Sequence, residues 1–309
     1  MNSRVDKRHK KRRKWPFWVG GIILAFVLII GGYIYYVWDK VGDTIATMHD
    51  PLEGDNQKEL NALFKNNDSV NILLLGVDAR EGDKGRSDTM ILMSLNPKTN
   101  AMTMLSIPRD TYVNIPGRGM DKINHAYAFG DVALSVQTVE EAFDLPVHFY
   151  ARVNMEGFQQ GIDAIGGVTI NNTQEFSQDG ASFSKGNITL SGEDALKYIR
   201  MRKNDPRGDM GRNERQREVL TAAIDKGASF NNITKVGDIL NILGGNVKTN
   251  LDKDNMQTLF SDYRGTRKNS KTMEINGDGQ TINGVWYYVV PDGEFNRITT
   301  EIKDHMEAR

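Results

Sequence analysis

The sequence predicts an α/β fold in which helices flank a central mixed β-sheet, preceded by one N-terminal transmembrane helix. Along residues 70–309, short apolar runs alternate with segments of helical periodicity, which is typical of helices packed around a sheet. Ahead of them, residues 15–38 form an uncharged run of 24 residues. A helix needs about 20 apolar residues to cross a bilayer, so this run is long enough to span one.

A basic tail precedes the apolar run and predicts its orientation. Residues 1–14 hold eight Lys and Arg residues against one acid, Asp6, and the positive-inside rule places such a tail in the cytoplasm. The alternative, a cleaved signal peptide, predicts a shorter apolar core and a small-x-small cleavage site, which is absent after Trp38. We therefore expect a type II single-pass protein of the cell membrane with a cytoplasmic tail (1–14), a signal-anchor (15–38), an extracytoplasmic stalk (39–69) and an extracytoplasmic catalytic domain (70–309).

Composition excludes several functional classes. The chain has no cysteine, which rules out disulfides, thiol catalysis and Cys-ligated metals. Lys and Arg number 39 and Asp and Glu 40, but without residues 1–14 they number 31 and 39. A domain this acidic is not expected to bind nucleic acid. No nucleophile elbow, Walker loop or dinucleotide-binding glycine pattern is present.

The predicted elements follow from these patterns in chain order. Residues 71–76, 89–95 and 101–107 are predicted strands, and the sequence NPKTN between the second and third is a hairpin signal. Further strands are predicted at 147–153 and 285–290. Helical periodicity predicts helices at 131–143, 154–164, 192–200, 212–227, 232–243, 252–264 and 294–307.

Charged side chains converge where the first three strands end. Strand one ends at Asp78, strand two begins at Asp88, and strand three ends just before Arg109. The loop between the first two strands adds Arg80 and Arg86. Two carboxylates beside several cations suit Mg²⁺ that bridges phosphate oxygens. The alternative is a solvated hairpin loop, but Asp78 closes a very apolar strand, which favours burial beside a partner.

A second basic cluster lies in the segment YIRMRKNDPRGDMGRNERQR. Arg200 and Arg202 would point in different directions on a helix, but both can face one way if the chain becomes extended there. In the next helix, Arg212, Arg215 and Gln216 share one face. Arginine suits phosphate because its planar guanidinium makes paired hydrogen bonds.

Salt bridges within the segment are the alternative to phosphate binding. The segment and its flank contain the acids Asp205, Asp209, Glu214 and Glu218. We assign such salt bridges to Arg207 and Arg217. They explain Arg200 and Arg202 less well, because the adjoining residues are apolar.

The chain resembles the LytR–CpsA–Psr family of Gram-positive cell-envelope proteins, particularly its teichoic-acid transferase branch. The resemblance covers about residues 70–228 and rests on motifs in the expected order. They are LLLGVDAR (73–80), RSDTMIL (86–92), SIPRDTYV (106–113), KINHAYAFG (122–130), YARVNMEGF (150–158), IDAIGGV (162–168) and YIRMRKNDPRGDMGRNERQR (198–217).

The resemblance implies transfer of an anionic glycopolymer, with wall teichoic acid favoured, from a polyprenyl-pyrophosphate carrier to a muramic-acid hydroxyl of peptidoglycan. It also implies an apolar tunnel for the prenyl tail. Asp78 and Asp88 match acids associated with Mg²⁺, and Arg109, Arg200 and Arg202 match arginines that contact pyrophosphate. The substrate-binding positions matched less closely are Arg80, Arg86, Arg212 and Gln216.

Two other functions stay open at this point. A pyrophosphatase acting on the same lipid carrier would use the same site, with water in place of the sugar hydroxyl. A membrane-anchored envelope sensor or transcriptional attenuator is supported only by the basic tail, which at 14 residues is too short for a folded DNA-binding domain.

Overall fold

The structure, a computed structural model, describes residues 43–309 except 45, 79–84, 203–204 and 229–243. The predicted cytoplasmic tail and signal-anchor lie outside the described residues, as does the helix predicted at 232–243. Within the described ranges, no helix combines the length and apolar character that crossing a bilayer requires.

Fourteen strands and seven α-helices are found in the described part of the chain. The strands are β1 (Val70–Val77), β2 (Ser87–Asn96), β3 (Ala101–Ser106), β4 (Tyr112–Ile115), β5 (Gly119–Lys122), β6 (Phe149–Asn154), β7 (Val168–Asn172), β8 (Phe176–Gln178), β9 (Ala181–Phe183), β10 (Gly186–Leu190), β11 (Val247–Thr249), β12 (Ser270–Met273), β13 (Asp278–Ile282) and β14 (Val285–Val289). The helices are α1 (Gln57–Lys65), α2 (His125–Phe143), α3 (Met155–Ala164), α4 (Gly192–Arg200), α5 (Asp209–Ala228), α6 (Lys253–Thr258) and α7 (Asp292–Glu307).

A six-stranded mixed sheet in the order β11-β6-β1-β2-β3-β12 forms the centre of the fold. The neighbours of β2, strands β1 and β3, both run antiparallel to it, whereas β6 is parallel to β1 and β12 is parallel to β3. The short connections favour antiparallel neighbours, and the parallel pairs need the longer crossovers. The predicted fold class, a central mixed sheet flanked by helices, is confirmed for the described residues.

Strands β1 and β2 contain an irregularity beside the predicted acidic residues. Gly76 pairs with Thr89 and Val77 pairs with Ser87, so Asp88 is an extra residue without a partner in β1. A β-bulge of this kind redirects a side chain and ends regular pairing. Asp88 and Thr89 beside the bulge are half-buried, whereas residues 90–96 of β2 are continuously buried.

Helices cover both faces of the sheet. On one face, α2 and α7 bury residues such as Val139, Phe143 and Ile298 against β1, β2 and β3. On the other face, Phe64 of α1 stacks on Phe149 of β6 at 5.1 Å between ring centroids. The described end of the predicted stalk, helix α1, is therefore packed into the body of the domain.

A third layer of side chains lies beside the sheet. Strands β7 and β10 pair with each other, and hairpin β8–β9 packs nearby. Together with α3, α4 and α5, they bury a cluster that includes Ile162, Phe176 and Tyr198. This cluster fixes the end of α4, which matters because Arg200 is the last residue of that helix.

Candidate functional site

A cleft of about 620 Å³ brings together most of the residues predicted from the two charged clusters. It lies where β1 ends, where the β2 bulge occurs, and where α4 and α5 approach the sheet. Its described lining consists of Asp78, Asp88, Thr89, Arg109, Met155, Gln178, Ile199, Arg200, Arg202, Asp205, Pro206, Gly208, Arg212 and Gln216. Four arginines therefore face a cleft that contains three aspartates within the described residues.

The two predicted metal-associated acids reach the cleft by different routes. Asp78 is the first residue after β1, and its backbone N–H donates to the carbonyl of Arg86 at 3.4 Å. Asp88 reaches it through the bulge in β2. The side chain of Arg86 is exposed and is not among the described residues that line the cleft. Arg80 lies outside the described residues.

Arg109 is held in place by a chain of ion pairs. Its Nη1 lies 2.7 Å from Asp88 Oδ1, and its Nε lies 3.4 Å from Asp110 Oδ2. Lys122 Nζ holds the other Asp110 oxygen at 2.7 Å. Burial lowers the pKa of Arg109, but the hydrogen bond and charge of Asp88 outweigh it, so the net pKa lies above its usual value. Arg109 is therefore a fixed positive charge in the cleft.

The chain becomes extended between Arg200 and Arg202, which is the condition under which both side chains can face one way. Helix α4 ends at Arg200, and Met201 is extended with φ −59° and ψ 128°. Met201 is buried, which leaves the residues on both sides of it to line the cleft. Among the described residues, Arg200 makes no ion pair, so its guanidinium is available to an anion.

Asp209 joins the other two arginines. Arg202 Nε lies 2.7 Å from Asp209 Oδ1, and Arg212 Nη2 lies 2.8 Å from Asp209 Oδ2. Burial lowers the pKa of Arg212, and the charges of Arg109 and Arg202 lower it further, while Asp209 and Asp88 oppose this change. The Nε of Arg212 is buried without a hydrogen-bond partner. A crowded, partly unsatisfied set of cations favours binding of an anion.

Arg215 and Arg217 have structural contacts instead. Arg215 donates to Asp205 Oδ2 at 2.6 Å and to the Met201 carbonyl at 2.5 Å, which ties the ends of the 201–205 turn together. It shares a helix face with Arg212, as predicted, but does not line the cleft. The salt-bridge assignment for Arg217 was right in kind but wrong in its partners, because Arg217 contacts Ser106 at 2.9 Å and Glu274 at 3.1 Å.

For Arg207, the predicted salt bridges are confirmed, with Glu214 and, at 3.7 Å, with Asp205. From sequence, Asp209 is predicted only to pair with nearby arginines and is not among the predicted site residues. Its position at the first residue of α5, three residues before Arg212, was the available signal.

An apolar cavity of about 170 Å³ adjoins the cleft. Thr89, Met155, Ile199 and Gln216 line both spaces. The remaining lining of the cavity consists mainly of hydrocarbon side chains from β1, β2, β6, α3 and α5, namely Leu74, Leu75, Ile91, Ala151, Val153, Phe158 and Leu220, together with Gly76 and Asn154. The site thus offers cations and carboxylates at one end and an apolar space at the other.

The donor set fits a divalent cation that is shared with a ligand. No group of three or more His, Cys, Asp or Glu suited to metal binding occurs in the ranges that the structure describes. Asp78 and Asp88 nevertheless face one cleft, and Mg²⁺ commonly takes one or two carboxylates and completes its shell with phosphate and water. These two aspartates therefore fit Mg²⁺ bound together with a phosphorylated ligand.

The chain is similar to known teichoic acid transferases over its whole length. The chain is 62% identical to the polyisoprenyl-teichoic acid–peptidoglycan teichoic acid transferase TagU of Oceanobacillus iheyensis, with 100% of both chains covered. The crystal structure of Bacillus subtilis TagU superposes with a TM-score of 0.64 at 47% identity and covers 78% of this chain and 98% of that one.

A solved structure of TagT bound to LIIa-WTA superposes with a TM-score of 0.67 at 35% identity, covering 77% of this chain and 91% of the other. Residues 35–304 match the LytR_cpsA_psr family. This match covers most of the chain and includes the described cleft. The protein therefore belongs to the LytR–CpsA–Psr family.

Proposed function

We propose that this protein transfers an anionic glycopolymer, wall teichoic acid, from a polyprenyl-pyrophosphate carrier to a muramic-acid hydroxyl of peptidoglycan. The observation that carries the proposal is the junction of an arginine-rich cleft with an apolar cavity. A lipid pyrophosphate is an amphiphile with the same two parts. The names of the relatives support the same activity, since TagU is named a teichoic acid transferase and TagT was solved with LIIa-WTA.

The cleft suits the pyrophosphate and the cavity suits the start of the prenyl chain. Arg109, Arg202 and Arg212 are held by carboxylates, so they are oriented before substrate binds and lose little freedom on binding. Arg200, which makes no ion pair with the described part of the chain, adds a fourth guanidinium. The cavity is smaller than the roughly 300–1,000 Å³ of drug-sized ligand sites, so it accommodates only the part of the lipid next to the pyrophosphate.

The reaction follows from this placement. The acceptor hydroxyl oxygen attacks the phosphorus that carries the glycopolymer, a new P–O bond forms, and the bond from that phosphorus to the bridging oxygen breaks. Polyprenyl phosphate leaves with the electron pair, and the hydroxyl proton passes to a base or to water. The product is a phosphodiester between glycopolymer and peptidoglycan. The arginines stabilise negative charge that develops on the phosphoryl and leaving oxygens.

The carboxylates divide into two groups. Asp78 and Asp88 would hold Mg²⁺, which supplies charge neutralisation at the pyrophosphate. Asp209 faces Arg202 and Arg212 and positions them. A carboxylate engaged by a metal or by arginine is a weak base, so the catalytic advantage is assigned mainly to orientation and electrostatics.

The proposal includes the membrane arrangement expected from the sequence. With residues 1–14 in the cytoplasm and residues 15–38 in the bilayer, the domain stands outside the membrane beside its lipid substrate. The supporting observations are the charge of the tail and the apolar run. Partial proteolysis of intact cells should cleave the domain and spare the tail. Cleavage of the tail alone would show that the protein has the opposite orientation.

The transfer itself is tested with the full chain in detergent, a defined polyprenyl-pyrophosphate glycan, uncrosslinked peptidoglycan strands and Mg²⁺, with the product identified by mass. The expected conjugate should disappear with EDTA and with Arg202→Ala. Arg297→Ala is the matched control, because Arg297 pairs with Glu294 and Glu301 on α7, outside the cleft lining. Conjugate formation by Arg202→Ala at the wild-type rate would refute the assignment.

Two outcomes distinguish the other functions. Release of glycan phosphate at full rate without acceptor would identify a pyrophosphatase. Binding of the lipid without either reaction would leave a carrier or sensor. Deleting the basic tail while preserving the anchor separates regulation from transfer. Loss of an effect on transcription while transfer continues would indicate a regulator.

A further inference from the structure

Two tyrosine rings form a part-exposed surface beside the cleft. Tyr112 of β4 and Tyr287 of β14 lie 4.6 Å apart between ring centroids and are tilted by 52°. Lys122 is paired with Tyr112 across hairpin β4–β5, and its Nζ lies 5.7 Å from the Tyr287 centroid. Met120, two residues before Lys122, is on the same face of the hairpin and is 52% exposed. We call these four side chains the tyrosine platform.

The tyrosine platform is joined directly to the cleft. Lys122 Nζ lies 2.7 Å from Asp110 Oδ1, and the second oxygen of Asp110 lies 3.4 Å from Arg109 Nε. Arg109 in turn holds Asp88. The backbone adds a further connection, because the N–H of Tyr288 donates to the Asp110 carbonyl at 2.8 Å. Two ion pairs that share Asp110 therefore link Lys122 of the platform to a cleft arginine.

We propose that the tyrosine platform binds the glycan strand of the acceptor and directs its hydroxyl toward the cleft. This inference rests on the proposed function, which requires a second substrate but does not say where it binds. The acceptor must reach the glycan-bearing phosphorus while the lipid occupies the cleft and the apolar cavity. A surface that is linked to Arg109 through Asp110 and shares no described lining residue with the apolar cavity meets that requirement.

The chemistry of the platform matches a polysaccharide. The C–H faces of a pyranose ring are apolar and weakly positive, and they pack on the negative face of an aromatic ring. Hydroxyl, amide and carboxylate groups project from the edges of amino sugars and lactyl groups. Asn114 lies opposite Met120 in hairpin β4–β5, and Lys122 stands between the rings and Asp110, so donors to such groups surround the aromatic faces.

The surrounding surface favours a glycan over a bilayer as the occupant. Trp286 is 41% exposed, but strand alternation places it on the opposite face of β14 from Tyr287, and it lies across Gly279. Phe129 is covered by Arg118 at 5.1 Å. Trp286 therefore lies off the platform face, whereas Val285, 43% exposed, shares the Tyr287 face of β14. The platform itself alternates rings with polar groups, which a glycan can use and a bilayer interior cannot.

The test compares Tyr287→Thr, which removes the ring but keeps a β-branched strand residue, with Tyr287→Phe, which keeps it. Full-length protein is used in two assays: equilibrium binding of fluorescent uncrosslinked glycan strands without lipid donor, and transfer kinetics with each substrate varied. Tyr287→Thr should raise the strand Kd and the acceptor KM about tenfold, as expected for loss of an aromatic contact. The donor KM and the kcat at saturating acceptor should remain at wild-type values, and Tyr287→Phe should match the wild type.

Met120→Glu is a second variant in case Tyr287→Thr does not fold, since Met120 is exposed and its replacement places a negative charge on the platform. Unchanged acceptor KM and strand Kd in a folded Tyr287→Thr or Met120→Glu protein would overturn the platform proposal. Transfer by the wild type would still uphold the transferase function in that case. A higher donor KM alone would also overturn it and indicate a face turned toward the lipid. Tyr287-dependent strand binding without any transfer would uphold the platform and refute the transferase.

Discussion

The turn between α4 and α5 provides a sharp test of how the arginines are positioned. Arg215 and Asp205 form an ion pair at 2.6 Å, and their side chains are only 7% and 0% exposed. Arg215 also donates to the Met201 carbonyl at 2.5 Å. The substitution Asp205→Asn keeps the shape of the side chain but leaves a buried guanidinium without its counter-charge.

Removing one partner of a buried ion pair costs about 3–5 kcal/mol. The Asp205 carboxylate also accepts from the backbone N–H of Arg207 at 2.8 Å, an interaction that Asn can keep, so the lower end of that range applies. A loss of about 3 kcal/mol lowers the Tm of a domain of this size by about 6–12 °C. Transfer should also fall, because the turn that carries Arg202 loses its fixed end.

The measurement is thermal and urea unfolding of Asp205→Asn, Arg215→Met and the double variant, combined as a double-mutant cycle. Each single variant should be destabilised by about 3 kcal/mol, and the double variant should recover much of that loss because no unpaired charge remains. Recovery of stability without recovery of transfer would show that the pair orients Arg202. A destabilisation below about 1 kcal/mol in both single variants would refute the reasoning.

The pair also predicts a dependence on pH. Burial raises the pKa of Asp205, but the hydrogen bond from Arg215, that from the Arg207 N–H and two guanidinium charges outweigh it, so the folded-state pKa lies below its usual value. The unfolded-state pKa is about 3.9. The contribution is therefore complete above about pH 4 and is lost as pH falls through the lower folded-state pKa. In Asp205→Asn this part of the acid dependence should disappear.

Three further predictions concern other parts of the domain. Gly76→Ala places a Cβ 2.9 Å from the Cβ of Thr89, so unfolding measurements should show a loss of about 1–3 kcal/mol, and lipid binding should weaken because both residues line the apolar cavity; wild-type affinity would contradict this. Burial lowers the pKa of His148 to about 4, below the unfolded value of about 6.5, so stability should fall by about 3 kcal/mol between pH 6.5 and 4, and a flat profile would disprove it. Arg200→Ala should leave Tm unchanged but reduce transfer at least about tenfold, since among the described residues Arg200 has no ion pair. A lower Tm together with the lower transfer rate would assign Arg200 a structural role.

The sequence predicted the centre of the fold more reliably than its periphery. The strands that became β1, β2 and β3 were predicted within one or two residues, because each is a continuous apolar run bounded by turn residues. Strands β7 to β10 were missed because they are short and partly exposed, which leaves little hydrophobic signal. Helix α2 begins six residues before the predicted start and contains non-helical angles at Gly130 and Asp131.

The site was predicted to a similar extent. Asp78, Asp88 and Arg109 could be grouped because short loops connect their three strands. Short loops favour antiparallel neighbouring strands, so the sequence was enough to place the three residues at one edge. The roles of Arg212 and Arg215 could not be separated, since helical spacing gives a shared face but not the path of the preceding turn. The path of the turn places Asp205 in an ion pair with Arg215, and Arg212 pairs with Asp209 instead. Only the tertiary arrangement decides between the two.

Helix α5 spans the distance between the charged cleft and the apolar cavity, and a ligand that fills both must change from charged to apolar over that distance. Arg212, Gln216 and Leu220 follow one another at intervals of four residues, the first two lining the cleft and the last two lining the apolar cavity. At 1.5 Å per residue, the three span about 12 Å along the helix axis. A carrier whose hydrocarbon begins directly after its phosphates matches this distance of about 12 Å. A carrier with a polar spacer would place hydrated atoms against Leu220. On the proposed function, this spacing would favour carriers by the point at which their chain becomes hydrophobic, independently of the sugar polymer that they bear.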